Sequence, residues 1–385
     1  MKAFNVHAGI ICMVIIFAAA AAGPVAAKGG KMLKVVELKG SYEDIGLEWG
    51  KQLKTEIETA IRVEIGGTAS FFGIEPEVLY ETAQKLLPAA KEYDPDFITV
   101  MKGIARGTGR SFEEIFALRS VLEIMFYYQK LTPMCTSFAV GPERTRDKTT
   151  LIGQNIDWHE GIPMALLKIT WPNGVRQLSL TLGSIWEYPL TIPDSGVPFG
   201  LASNLAVSMT ADQETIRPPL SMVMQKAARQ KRLEQALSVM INARQNMGGF
   251  ILASAEGDLI GVEHAANQYE VLYPDNQVMV RSNHYLTDRF KPIDFFGSFA
   301  PDSYLRFSRI RNLTAIPGDN ITLESMMKCM ADHHNFPKGI CMHVDKASPY
   351  APSETLASVI MIPEKKVVYI AGGNPCSTAY VKYEF

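Results

Sequence analysis

An isolated cysteine, Cys135, is the most conspicuous candidate for chemistry in this 385-residue sequence. It opens the short apolar run "CTSFAV", and its neighbours are small, hydroxylic or apolar residues rather than a second cysteine. A thiol with a pKa of about 8.5 is only partly ionised at neutral pH, so a nucleophilic cysteine needs a base. A free cysteine more often behaves as a small buried hydrophobic residue. The run therefore indicates either a covalent catalyst or a core position.

A second group of reactive side chains lies in "ADHHNFPKGICMH", which contains His333, His334, Cys341 and His343. Histidine nitrogen and thiolate sulfur are zinc ligands. The spacing matches no established ligand pattern, and the adjacent histidines should point apart. A loop of hydrogen-bonded histidines near a pocket or an interface is therefore favoured, and we expect no metal and no cofactor. The sequence also lacks G-x-S-x-G, P-loop and H-E-x-x-H motifs.

The amino terminus has the pattern of a secretory signal peptide. Lys2 precedes an apolar stretch from Ile10 to Ala22, and the small-residue segment "GPVAAKGG" follows. The apolar stretch is too short for a bilayer span, which needs about 20 residues. We therefore expect residues 1–27 to be removed and the chain to be exported to the periplasm or the exterior, with no membrane association afterwards.

Composition narrows the range of partners. A net charge of -2 gives the chain no general attraction for nucleic acid or anionic lipid. Four cysteines remain after signal removal, and an oxidising compartment could pair two or all of them. The sequence does not select a pairing for Cys329, Cys341 and Cys376.

The predicted secondary structure changes from mostly helical to mostly β-strand at Cys135. From Val35 to Lys130 the pattern is mostly helical, with capping boxes beginning at Ser41 and Ser111. Pro133 should end this helical part. Short β-rich runs follow, interrupted by a helical stretch over residues 218–244. The predicted strands are "TSFAV", "TTLIGQNID", "MALLKITW", "VRQLSLTL" and "LAVSMT".

Two later hairpins are predicted, turning at residues 256–258 and 363–365. A helical first quarter followed by strands, helices and strands predicts an α+β layered fold with largely antiparallel sheets.

The runs "CTSFAV" and "LIGQNIDW" resemble the start of the mature catalytic subunit in one known family. This is the acyl-coenzyme A:6-aminopenicillanic acid acyltransferase (isopenicillin N acyltransferase) family, the peptidase C45 group of the N-terminal nucleophile (Ntn) hydrolases. Six further blocks resemble the family's blocks in the same order and span nearly the whole remaining chain: "GSYEDIGLEWG", "GIARGTGRSFEEIFALRS", "ILASAEGDLIGVEH", "VRSNHYL", "MADHHNFPKGICMH" and "ETLASVIMIPEKKVVYIAGGNPC".

The resemblance implies a four-layer αββα sandwich, with two antiparallel sheets between helical layers, made as an inactive precursor. The Cys135 thiol would cleave the bond between Met134 and Cys135. Residues 28–134 would stay tightly bound as a small subunit, and residues 135–385 would form the catalytic portion. The freed α-amino group, with a pKa of about 7.7 to 8.0, would then serve as the general base, so no distant histidine is needed.

Further roles follow from positions that match the family. Asn283 would be an oxyanion donor, or else a turn asparagine capping a strand end. Asp157 would organise processing and the new ammonium group, or else bind nearby backbone amides at a strand end. Asn155, Trp158 and His284 would bind substrate.

The expected function is cleavage of a linear carbon-nitrogen amide bond in a small molecule through a Cys135 thioester. Two positions depart from the family: Met134 replaces the usual glycine, and Glu354 stands where the fungal acyltransferase has an arginine. Export also separates the chain from cytoplasmic coenzyme A. Met134 bears on self-cleavage, whereas Glu354 and export favour hydrolysis, or acyl transfer without coenzyme A.

Three alternatives remain. A bile-salt or penicillin amidase type shares the cysteine chemistry, but normally starts near its mature amino terminus. A metal-dependent hydrolase would use the cluster from His333 to His343. A non-catalytic exported binding protein would keep the same fold with Cys135 in its core. The acyl group, the amine and the oligomeric state are not determined by the sequence.

Overall fold

The computed structural model describes residues 32–128, 134–209, 217–346 and 353–385. The predicted signal peptide and Pro133 lie outside these residues. Within the described ranges, no helix has the length and apolar character needed to cross a membrane.

Helices dominate the chain before Cys135. The predicted capping boxes at Ser41 and Ser111 are both present, each with a carboxylate three residues later closing the pair. The first part contains α1 (Tyr42–Gln52), α2 (Lys54–Ala60), a π-helical turn (Ile61–Gly66), α3 (Gly67–Phe72), α4 (Pro76–Gln84), α5 (Leu87–Tyr93), α6 (Pro95–Thr108), α7 (Phe112–Arg119) and α8 (Val121–Tyr127). The later helices are α9 (Leu220–Ala228), α10 (Leu233–Ala243), a 3₁₀ turn (Lys291–Ile293), α11 (Phe296–Phe299), α12 (Asp302–Thr314) and α13 (Leu323–Met330).

The strands form two sheets. They are β1 (Lys34–Lys39), β2 (Met134–Val140), β3 (Leu151–His159), β4 (Met164–Thr170), β5 (Arg176–Leu182), β6 (Trp186–Ile192), β7 (Phe199–Val207), β8 (Met247–Ser254), β9 (Leu259–Ala265), β10 (Gln268–Leu272), β11 (Val278–Arg281), β12 (Ser353–Ile362), β13 (Val367–Ala371) and β14 (Val381–Glu384). The larger sheet has the order β1-β4-β5-β6-β7-β8-β9-β10, and the smaller has the order β11-β2-β3-β12-β13-β14. Only β1 and β4 pair in parallel among the described strands.

The two sheets face each other across the main hydrophobic core. A Cβ added at Gly200 on β7 would lie 2.8 Å from Ile152 Cγ2 on β3, so the sheets approach closely here. Helices α9 and α10 contact the larger sheet, and α12 and α13 contact the smaller one. The predicted α+β sandwich of two largely antiparallel sheets between helical layers is thereby confirmed.

The helical segment before Cys135 is integral to this sandwich. Arg119 on α7 forms a buried ion pair with Glu187 on β6 at 2.7 Å. Trp49 Nε1 donates to Ser184 Oγ, also at 2.7 Å. Strand β1, which was not predicted, completes one edge of the larger sheet. The helical layer therefore has buried contacts with the strands that follow Cys135, and these contacts do not depend on chain continuity at Cys135.

Strand β6 was also not predicted. Its sequence "WEYPLTI" contains Pro189, and proline within a run argues against a strand because it lacks the N–H needed for a ladder. The structure tolerates it because β6 pairs with β7 only at Leu190 and Thr191. The predicted helical stretch over 218–244 is present as two helices, and both predicted hairpins are present.

Candidate active site

Cys135 is the second residue of β2 and is only 5% exposed. Strand β11 pairs with β2 only as far as Arg281 and Ser137. If this ladder continued in register, Asn283 would lie opposite Cys135. The Asn283 side chain takes the place of the missing backbone partner, because its Oδ1 accepts the Cys135 N–H at 2.8 Å.

The Cys135 carbonyl is held by two donors from other elements. Asn204 Nδ2 on β7 donates to it at 2.9 Å, and Arg306 Nη1 on α12 donates to it at 2.8 Å. Arg306 Nη2 also donates to Asn283 Oδ1 at 3.0 Å, and its Nε donates to Asp302 at 3.1 Å. The buried Arg306 guanidinium group therefore contacts both the Cys135 carbonyl and the Asn283 oxygen that accepts the Cys135 N–H.

A β-bulge in β7 lies next to Asn204 and contributes a contact to Asn283. The register between β7 and β8 shifts between Asn204 and Val207. Leu205, inside this irregularity, offers its carbonyl to Asn283 Nδ2 at 2.9 Å. Bulges disrupt the ladder locally and redirect side chains. Here the Leu205 carbonyl in the bulge accepts from Asn283. The preceding residue, Asn204, donates to the Cys135 carbonyl.

The Cys135 thiol has polar neighbours from β3. The Asp157 backbone N–H and the Gln154 side chain lie near the sulfur and favour the thiolate. Burial, followed by the charge of Asp157, acts in the opposite direction and raises the pKa of Cys135 to about 12. In the continuous chain the thiol is therefore protonated at neutral pH, and its reaction requires a proton acceptor.

Asp157 is completely buried beside this thiol. Its Oδ1 accepts from Thr355 Oγ1 at 2.5 Å, while its Oδ2 has no hydrogen-bond partner among the described residues. Burial raises the pKa of Asp157 to about 7, although the Arg306 charge and the Thr355 bond favour the carboxylate. A carboxyl group that titrates near neutral pH is suited to exchanging a proton with a reacting group.

A cavity of about 30 Å³ adjoins Cys135. Its lining is mainly aromatic and aliphatic and includes Trp158, Trp186, Tyr188, Leu205 and Phe250. Such a volume holds on the order of one or two water molecules. It is too small for an acyl group in the continuous chain.

Trp158 is the only one of the three predicted substrate-binding residues that lines this cavity. Its Nε1 donates to Glu64 Oε1 at 2.6 Å, and Glu64 is buried on the π-helical turn. Such turns occur often at functional sites. This contact connects the cavity wall to the helical segment that precedes Cys135.

The other two predicted substrate-binding residues, Asn155 and His284, do not line the cavity beside Cys135. Asn155 Nδ2 donates to the carbonyls of Met330 and Ile340, both at 2.8 Å, and so holds the segment after α13 against β3. His284 Nδ1 lies 2.9 Å from Ser303 Oγ, which accepts the Asn283 N–H at 2.8 Å. Burial and nearby arginines lower the pKa of His284 to about 3, so the ring is neutral.

Sequence reasoning missed Gln154, Asn204 and Arg306. Asn204 and Gln154 carry a usable signal, because amide side chains within apolar strand patterns are unfavourable unless they find partners. Arg306 carries none, since an arginine in a helix of mixed composition is indistinguishable from a solvated one until the fold is known.

Four other ligand-type residues come together away from Cys135. The ligand atoms of His333, Cys341, His343 and Cys376 all lie within 4.8 Å of one another. His334, which was considered with them, is exposed and is not in the group. All four cysteines of the described chain are free thiols.

No protein-family model matches this chain, and no curated protein matches its sequence. Among solved structures, a mutant of conjugated bile acid hydrolase from Clostridium perfringens is similar. It has 12% identity and a TM-score of 0.41 over 65% of this chain and 97% of that one. Penicillin V acylase from Agrobacterium tumefaciens has 13% identity and a TM-score of 0.35 over 61% and 82% of the two chains. At these scores the likeness carries no conclusion about chemistry, which depends on the site geometry described above.

Proposed function

We propose that this protein is a self-processing amidohydrolase of the N-terminal nucleophile type, with Cys135 as its nucleophile. The supporting observation is the set of contacts on the Cys135 main chain. Asn283 holds its nitrogen, while Asn204 and Arg306 hold its carbonyl. Cleavage before Cys135 would leave all of these contacts in place. The new amino terminus would therefore be oriented as soon as it formed.

In the proposed processing step, the Cys135 sulfur attacks the carbonyl carbon of Met134. Asp157 accepts the thiol proton, and the departing Cys135 nitrogen takes up a proton as the peptide bond breaks. A thioester then joins Met134 to the Cys135 sulfur. Water hydrolyses it to give the Met134 carboxylate, the free thiol and the free α-amino group.

The α-amino group then becomes the base for turnover. Its nitrogen would remain against Asn283 Oδ1. The Arg306 guanidinium, which bonds the carbonyl of the same residue, disfavours a second positive charge nearby. Arg306 should thus keep the amine neutral and able to accept the thiol proton.

Turnover follows the same chemistry on an external amide. The sulfur attacks the substrate carbonyl, the leaving amine takes the proton from the α-ammonium group, and water releases the acyl group from the thioester. Asn283 Nδ2, which donates to Leu205 in the continuous chain, is the proposed oxyanion donor. The aromatic lining around Cys135 favours an apolar acyl portion. Transfer to an amine other than coenzyme A would use the same thioester.

Export belongs to the proposal as well, with residues 1–27 as the signal and a periplasmic or extracellular location. Residues 28–134 would remain as a bound small subunit. The buried Arg119–Glu187 pair and the Trp158–Glu64 bond join the two parts.

Intact-mass measurement of the purified chain, followed by amino-terminal sequencing, tests the proposal. We expect two fragments that copurify, with a new terminus at Cys135. The Cys135→Ala variant should stay as one chain, and circular dichroism should show that it is folded. Cys329→Ser changes another buried cysteine, outside this site, and should still be cleaved. A wild-type protein that stays full-length after prolonged incubation would contradict self-processing. Hydrolysis that survives Cys135→Ala but disappears with a chelator would favour the metal-dependent alternative.

A further inference from the structure

We infer that His333, Cys341, His343 and Cys376 form a structural zinc site. Three of them lie between α13 and β12, and Cys376 lies in the turn after β13. All four ligand atoms are within 4.8 Å of one another. The site goes beyond the proposed amidase activity and does not depend on it.

Hydrogen bonding alone does not account for this arrangement. His343 Nε2 lies 3.0 Å from His333 Nε2, 3.7 Å from Cys341 Sγ and 3.6 Å from Cys376 Sγ. An imidazole nitrogen has either one proton or one lone pair in the ring plane, so it forms one good hydrogen bond. A cation at the centre of the group gives every one of these atoms a partner.

The sulfur-to-nitrogen distances around His343 fit tetrahedral zinc. Zinc binds histidine nitrogen at about 2.0 to 2.1 Å and cysteine sulfur at about 2.3 Å, so the ligand atoms of a tetrahedral site lie roughly 3.3 to 3.8 Å apart. Two sulfur-to-nitrogen distances here fall within that range, and the nitrogen-to-nitrogen distance is slightly shorter. Two thiolates with two imidazoles favour zinc over magnesium or calcium, which prefer oxygen.

Four protein ligands leave no open coordination position. Catalytic zinc sites keep one position for water or substrate, whereas structural sites are closed. This distinguishes the inferred site from the metal-dependent hydrolase considered from the sequence. Binding would deprotonate both thiols and release two protons, which leaves an electrically neutral centre.

The surrounding chain already supports the ligands. Asn374 Nδ2 lies 3.9 Å from Cys341 Sγ and donates to the Met342 carbonyl at 2.8 Å. The N–H groups of Cys341 and His343 are held by the carbonyls of Asp332 and Pro337. His333 is exposed, so a metal ion has a path from solvent.

Residues 331–346, the described part of the segment between α13 and β12, carry three of the ligands and are called the zinc loop; this loop also contacts the support of the proposed active site. Met342, between two ligands, donates its N–H to Thr355 Oγ1 at 2.8 Å and accepts the Thr355 N–H at 3.0 Å. The same Thr355 hydroxyl donates to Asp157. Zinc would therefore stiffen the support of Asp157, and any effect on processing rests on the proposed function.

Metal analysis of the full chain, purified with reduced thiols and supplied with zinc, tests the site. We expect one zinc per chain by mass spectrometry, and cobalt(II) should give the visible absorption of a tetrahedral centre with thiolate ligands. His333→Ala and Cys376→Ser should each lose the stoichiometric metal. The matched variant His334→Ala, which changes the adjacent exposed histidine, should keep it.

Three results would overturn the zinc site. The first is a reduced, folded chain that binds no zinc. The second is peptide mapping that shows a disulfide between Cys341 and Cys376 in the folded protein. The third is equal metal loss from His334→Ala and His333→Ala. Because these measurements do not involve activity, the zinc site and the amidase proposal can fail separately.

Discussion

Cys135 and Cys341 are both buried, but the groups around them hold different atoms. At Cys135, amide and guanidinium groups from β7, α12 and the segment after β11 bind the main-chain nitrogen and carbonyl. At Cys341, two imidazoles and a second thiol gather around the sulfur itself. The first arrangement orients a backbone that can become a terminus. The second brings together side-chain atoms that can share a cation.

The two centres also differ in the group that is proposed to interact with the cysteine sulfur. Cys135 has no histidine among its hydrogen-bond partners in the described chain, and the base proposed for turnover is the amine on the same residue. Cys341 has two histidines, and the partner inferred for its sulfur comes from solution. Under the proposed function, proximity of cysteine to histidine would be a poor guide to the nucleophile in this protein, and the contacts on the cysteine backbone would be the better guide.

The largest expected difference is in the free energy of unfolding, and it concerns two arginines on α12. One of them contacts Cys135, and the other contacts the loop that contains Cys341. Arg306 is buried and bonds Cys135, whereas Arg309 is 35% exposed and pairs with Asp332 in the zinc loop. Arg306→Ala would leave buried carbonyl and carboxylate groups unpaired and should lower the free energy of unfolding by about 3 to 5 kcal/mol. Arg309→Ala should cost below about 1 kcal/mol. Urea unfolding measures both, and equal losses would remove the distinction between the centres.

The next comparison uses one asparagine at each centre. Asn283→Ala should slow self-cleavage and turnover by about 100- to 1,000-fold, because it removes the group that holds the amine and the proposed oxyanion donor. Asn374→Ala should weaken zinc binding by about 10- to 100-fold, since it removes a side chain next to a ligand. At saturating zinc, Asn374→Ala should cleave at the wild-type rate. Cleavage rates and zinc titrations for both variants check this, and wild-type cleavage by Asn283→Ala would refute its role.

The last comparison concerns the pH dependence of stability that Asp157 contributes. Burial raises its pKa to about 7 in the folded chain, from 3.8. As pH rises between these values, the unfolded chain loses a proton that the folded chain keeps, so stability falls. Asp157→Asn removes this titration. Relative to the variant, the parent should lose at most about 4 kcal/mol between pH 4 and pH 7.

Unfolding in urea across that range, with Cys135→Ala in both chains to prevent cleavage, measures the Asp157 difference directly. A parent that gains stability relative to the asparagine variant as pH rises would show that the folded pKa of Asp157 is lowered instead.

Local patterns predicted much of the fold. The capping boxes at Ser41 and Ser111 depend on residues three apart, and the hairpins depend on turn residues flanked by strands. These signals are contained within a few residues, so they survive without tertiary information. Among the strands that were not predicted, β1 is a short edge strand in a helical segment and β6 contains Pro189.

The sequence by itself determined where the chain changes from helices to strands, and it singled out Cys135, Asp157, Asn283 and Trp158 for attention. Only the tertiary structure brought Asn204 and Arg306 to the Cys135 carbonyl, and Cys376 to His333, Cys341 and His343. These partners come from elements far apart in the chain. Their distances are set by sheet register, a β-bulge and helix packing, and none of these leaves a local pattern in the residues themselves.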